Sequence, residues 1–236
     1  MVSSKPSNAG FTLIELLIVI AITAILAAVA LPAMNHLVAS HRAYNRADQL
    51  LAMFQFARAE AIRTNTPVLI CPTLIRKNTS TSNTCVNFGD YENGTKWQGF
   101  IAFSDNDLDG AYNASKDTSV RTVALNQNYD DNINKIKVKM HWGVCKNGKA
   151  DCKDEITESK MLAFMPNGQF GLGNGKNSSN WDIGQSSVAL EVTDAKYEDI
   201  KRRIIITPSG KPIACYGKSG NDSVSNTQIC TSQLFN

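Results

Sequence analysis

Between Phe11 and Leu31 the chain is apolar at every position except Thr12, Glu15 and Thr23. That run is 21 residues long, and about 20 suffice for a helix to cross a bilayer. The pattern then changes. Ala47, Leu50, Leu51, Phe54, Ala57, Ala61 and Ile62 recur at steps of three and four, which puts one apolar stripe on a helix, while Arg42, Arg46, Arg58 and Arg63 fall largely off it. Thr66 precedes Pro67 and is driven out of helical backbone. The spacing therefore predicts one helix over residues 11–65, about 80 Å long at 1.5 Å per residue. Its first half is apolar all round. Its second half is amphipathic and lays its stripe on a sheet. Pro32 lies inside it, cannot donate to the Ala28 carbonyl, and predicts a kink or loosened turn.

Beyond Pro67 the period shortens. Residues 133–140 alternate, with Ile136, Val138 and Met140 on one face and Lys135, Lys137 and Lys139 on the other, the signature of a half-buried strand. Shorter runs at 68–71, 99–103, 161–165, 187–192, 203–207 and 213–216 read as further strands. Residues 73–96 are polar and loop-like. Residues 167–187 are rich in Gly, Asn and Ser and read as a long excursion. No internal repeat is evident. One long helix followed by antiparallel strands is an α+β arrangement, and the roughly 170 residues after the helix suit a single domain.

Glu15 changes the reading of the N-terminus. A lone carboxylate in an apolar segment costs a few kcal/mol in hydrocarbon, so it calls for a partner. Three interpretations of the segment compete. It is a cleaved secretory signal, with Ala28-Val29-Ala30 as the cut site; a plain anchor; or a helix whose short polar leader is removed ahead of the apolar run.

Composition adds the compartment. The 236 residues carry a net charge of +3, too weak a bias to select or exclude nucleic acid. Six cysteines behind a membrane-targeting segment read as disulfides in an oxidising compartment. Sequence neighbours give Cys71 with Cys85, Cys145 with Cys152, and Cys215 with Cys230. A zinc site is the weaker alternative, since no CxxC occurs and His36, His41 and His141 are the only histidines.

Candidate chemistry is sparse. Asp105-Asn106-Asp107-Leu108-Asp109-Gly110 opens like a calcium loop, with Asp105, Asp107 and Asp109 as the ligands. However, Lys116 stands where the twelfth-position Glu belongs, and Asp and Gly also dominate ordinary turns. Lys135, Lys137 and Lys139, with Lys201, Arg202 and Arg203, could meet phosphates. A lysine face equally blunts a sheet edge. Phe56, Trp97 and Phe100 read as core, and His36 and His41 as surface or subunit contacts. No HExxH, G-x-S-x-G or P-loop pattern supports catalysis.

The run Gly10-Phe11-Thr12-Leu13-Ile14-Glu15-Leu16 resembles the type IV prepilin motif residue for residue. The resemblance implies a leader of residues 1–10 cut after Gly10, methylation of the new Phe11 amine, and pairing of Glu15 with a neighbouring subunit's N-terminal amine. It also implies that the Pro32 turn lets the helix extend in a filament. The stretch 50–65 with Cys71-Pro72, and Trp97 to Asp105 followed by Asp107 and Asp109-Gly110, resemble the GspH/FimT family of minor pilins and pseudopilins. That family implies no cofactor and no catalysis. It implies a helix spanning the inner membrane over 11–31, a periplasmic domain over 66–236, and partners that are other major and minor pilins and a prepilin peptidase. The subunit is then built into a type IV pilus that supports twitching motility, adhesion or DNA uptake. Where such proteins capture DNA they use a Gly-Arg-x-Arg motif. The comparable stretch here is Gly210-Lys211-Pro212-Ile213, which keeps one cation, so priming of assembly fits better than DNA capture. A type II secretion pseudopilin remains the main alternative.

Overall fold

The computed structural model describes residues 11–73, 85–86, 98–126, 136–144, 160–177 and 180–215, with backbone only over 139–144. The helix α1 runs Leu13–Thr64, within two residues of the expected bounds. It begins at Thr12, whose backbone is extended and whose hydroxyl accepts the Glu15 N–H at 3.3 Å. It ends at Asn65 in the left-handed conformation, which Asn tolerates better than most residues. The helix continues through Pro32 without interruption. One missing hydrogen bond among 52 residues leaves the turns on either side to carry it through.

Ten strands follow among the described residues. In one sheet β1 (Val68–Thr73), β2 (Gly99–Ser104), β3 (Thr118–Ala124), β5 (Met161–Phe164), β6 (Phe170–Gly173) and β7 (Asp182–Ile183) lie in the order β3-β2-β1-β5-β6-β7. In the other, β4 (Ile136–Val144), β8 (Ser186–Asp194), β9 (Lys201–Ile206) and β10 (Pro212–Cys215) lie in the order β10-β9-β8-β4. Every pairing is antiparallel.

The lower half of α1 packs across both sheets. Ala39, Ala43, Ala47, Leu50, Met53, Phe54, Ala57 and Ala61 are buried against Ile70, Phe100, Phe164, Phe170, Leu190 and Ile204. Alanines at steps of four let the helix approach the sheets closely, and burying Phe54 contributes about 1.5–3 kcal/mol. Leu51 is only partly buried. A second, smaller core lies on the outer face of the six-stranded sheet. There Leu69, Cys71, Ile101, Phe103 and Ala163 are covered by Tyr112 and Trp181 from loops.

Four expectations need correction. Phe56 and Ile62 are exposed rather than core; neither falls on the buried arc set by Phe54, Ala57 and Ala61. The excursion over 167–187 contains two strands. Its glycines resemble a loop signal, yet Gly171 and Gly173 are glycines because Ile183 and Asn180 pack directly against their backbones. Strand β3 had no forecast, since its burial follows no alternation. Strand β4 starts at Ile136 and runs on to Val144; residues 133–135, Lys135 among them, lie outside the described residues.

The disulfide Cys71–Cys85 is present, with the Cα atoms 5.5 Å apart. It ties β1 to a one-residue bridge between Thr73 and Cys85. Cys215 is also disulfide-bonded. Cys145, Cys152 and Cys230 lie outside the described residues, as does Trp97.

Candidate functional site

The upper half of α1 stands free of the domain. Every large apolar side chain from Phe11 to Val38 is exposed, and the helix is long and apolar enough to cross a membrane. A soluble fold does not leave a stripe of this size to water, so this surface is built for lipid or for other helices. Glu15 is the only acid on it, in the first turn, where the helix dipole favours an anion. No described cation pairs with its carboxylate. Thr12 and Glu15 stand at capping-box spacing. That signal was legible in the sequence, and it identifies Thr12 as the residue that fixes where the helix starts and holds Phe11 outside it.

The junction between the free and packed halves of α1 is held from the domain. His36 Nε2 lies 3.0 Å from Asp199 Oδ2, and its ring meets Tyr197 edge-on at 5.2 Å. Arg42 donates to Asp194 at 3.2 Å.

The acidic loop closes on itself. One carboxylate oxygen from each of Asp105, Asp107 and Asp109 lies within 4.8 Å of the others. Asp105 accepts the Asp109 and Gly110 N–H groups at 3.1 and 3.0 Å, and Asp107 pairs with Lys116 at 2.8 Å. Burial pushes the Asp105 carboxyl up, against the pull of those two backbone donors. The Lys116 ammonium holds Asp107 below the ordinary carboxylate range. The chain thus supplies its own cation where a calcium loop would place its last carboxylate, and the donors fit a locked turn better than a divalent ion.

The cationic strand is largely compensated. Alternation along β9 sends Arg202 inward, where it is buried, stacks on Tyr44 at 4.9 Å and lies 3.8 Å from Asp48. Lys201 and Arg203 face outward, and both meet Glu191, at 3.1 and 2.9 Å. Lys139 is opposite Glu191 in the ladder. Lys137 lies 3.6 Å from Glu198. Lys211 is exposed at the tight turn between β9 and β10. Glu191 was missed in the sequence because its partners come from a different strand.

Burial alone would raise the Glu191 carboxyl, but hydrogen bonds from Arg203 and Lys201 outweigh it and hold the group below its ordinary value of 4.5. A depressed carboxyl contributes stability above the unfolded value and loses it as pH falls through the folded one. Glu191→Gln is therefore expected to melt below wild type near neutral pH. The gap should narrow as pH drops below about 4.5. Thermal melting of detergent-solubilised protein from pH 6 to 3 measures this, and parallel curves would contradict it.

Residues 5–31 match the prokaryotic N-terminal methylation motif. Residues 46–210 match the family model described as type II transport protein GspH. No curated protein matches. Two crystal structures of the type IV minor pilin FimU of Pseudomonas aeruginosa are similar, at 14% and 15% identity. Each alignment covers 73% of this chain, with 92% and 87% of theirs, and a TM-score of 0.38. The GspH match extends over more than half of the chain, which shows that this chain belongs to the GspH family.

Proposed function

We propose that this chain is a minor pilin that enters a type IV pilus and primes its assembly. The observation that carries the reading is the free half of α1, an exposed apolar helix with a single unpaired carboxylate at its start. Such a helix is stable in a bilayer and, once extracted, among copies of itself. Residues 1–10 are the leader, cut after Gly10, and Phe11 is the methylated end. Residues 11–31 cross the inner membrane, Leu13–Thr64 form the helix, and 66–236 lie in the periplasm before joining the fibre. Glu15 pairs with the N-terminal amine of a neighbouring subunit, since a buried charge persists when it is paired. Pro32 is the turn at which the helix yields. No turnover is involved.

The alternative is a type II secretion pseudopilin, which the family description itself favours. DNA capture draws less support, because Lys201, Arg202 and Arg203 already have partners within the protein. Deleting the gene separates the first two readings. Loss of surface pili with normal export of secreted enzymes supports the pilus, whereas normal piliation with blocked export supports secretion.

A further inference from the structure

The two sheets present four edges among the described residues, and three of them are guarded. Strand β7 is two residues long. Strand β10 begins with Pro212 and ends at disulfide-bonded Cys215. Strand β4 carries Lys137, and the Asn126 side chain bonds both the N–H and the C=O of Ile136, at 3.1 and 2.8 Å. Short strands, prolines, lysines and side-chain caps are the usual devices against unwanted pairing.

Strand β3 differs. It has seven residues, with Thr118, Ser119, Arg121 and Thr122 exposed. It has no proline and no lysine, and no described strand pairs with its outer side. A register shift makes Val120 a bulge, but Arg121 to Ala124 pair regularly with Ala102 to Gly99. That leaves a regular edge of four residues, Arg121, Thr122, Val123 and Ala124.

The side chains beside this edge point to an occupant. Each other described arginine has an oxygen partner: Arg42 with Asp194, Arg46 with Gln49, Arg58 with two carbonyls, Arg63 with Glu60, Arg202 with Asp48 and Arg203 with Glu191. Arg121 has none. It lies over the ring of Phe56, 5.8 Å from its centre, and Phe56 is 43% exposed on the packed half of α1. An exposed aromatic and an anion-free guanidinium beside unpaired backbone donors and acceptors form a composite site. Arg and aromatic residues are also the groups that anchor interfaces. Antiparallel self-pairing centred on Arg121 would oppose two guanidinium groups, which disfavours a second copy.

We propose that β3 takes an extended strand from a different filament subunit, with a carboxylate opposite Arg121 and an apolar side chain over Phe56. The proposal rests on the filament reading and names its partner chemistry. The backbone supplies affinity, and Arg121 and Phe56 supply choice of partner.

The test uses the full chain in its own cells with a photoreactive residue on the edge, Thr122→p-benzoylphenylalanine. The expected result is a crosslink to another subunit bearing the methylation motif, mapping to an extended segment with Asp or Glu beside the site. Arg121→Glu should lower its yield at least tenfold, and so should Phe56→Ser, which alters the helix rather than the strand. Reversing the mapped acid to Lys should restore yield in the Arg121→Glu background. Crosslinking only to a second copy of this chain, or a yield indifferent to both substitutions, overturns the proposal. So does an absent crosslink when chain beginning at Phe11 is recovered in sheared filaments, and the filament reading then stands. If the chain is absent from filaments altogether, both readings fall.

Discussion

Glu15→Ala is expected to leave the leader cut after Gly10 and to remove the subunit from the filament. The two steps read different groups. On the proposed reading the peptidase acts at Gly10 and Phe11, Phe11 precedes the helix, and Thr12 still caps the first turn because its hydroxyl accepts the backbone N–H of residue 15 rather than the side chain. Membrane residence should improve, since a carboxylate in hydrocarbon costs a few kcal/mol. Lost incorporation therefore cannot come from a failed anchor. On the proposed pairing, the substitution strands a neighbour's amine without its counter-charge in the assembled state, a loss of about 3–5 kcal/mol per contact. That is a drop of roughly two to four orders of magnitude in occupancy. Glu15→Gln should fail in the same way, because it keeps the shape and loses the charge. Immunoblots of sheared filaments against whole-cell fractions measure both variants. Wild-type recovery of either in filaments would remove the charge pair from the account.

Much of the architecture was legible because its signals are local. The helix bounds followed from the apolar run, the stripe and Pro67. Strands β1, β2, β5, β8, β9 and β10 followed from short apolar runs. What escaped depended on groups distant in sequence. Phe56 lies within an apolar stretch but is exposed, because helix rotation is set by the buried alanines. Glycines 171 and 173 looked like a loop and are strand positions crowded by Ile183 and Asn180. The Lys201-Arg202-Arg203 run read as one basic cluster, yet strand alternation divides it between two faces with different acids. Glu15 needed no fold at all to be noticed. Its need for a partner followed from the apolar run alone, and the structure adds that every large apolar side chain around it is exposed.

Gly210→Ala is expected to be strongly destabilising. Gly210 lies in the turn between β9 and β10 with φ +77°, a conformation that costs an L-residue about 1–2 kcal/mol. Its Cβ would also overlap the carbonyl oxygen of Gly168 in the turn between β5 and β6. That oxygen cannot retreat freely. It accepts Arg58 Nε at 3.1 Å, while Arg58 Nη2 donates to Ser209 at 3.2 Å, so one guanidinium from α1 clamps both turns together. Gly168 is itself at φ +81° and donates to Met165 at 2.8 Å. The alanine must open this junction, at a total of about 3 kcal/mol or more. In a domain of this size that lowers Tm by roughly 10 °C. Gly175→Ala is the control, with φ +69° and open space at its Cβ. It carries the backbone strain alone and should cost a drop of about 2–8 °C. The clamp adds a second signature. In an Arg58→Ala background the Gly168 turn is released, so Gly210→Ala should cost measurably less there than in wild type, a coupling expected between residues that share a contact. Thermal melts of the four proteins in the cycle test this. Strict additivity would mean that the two turns are joined by something other than Arg58.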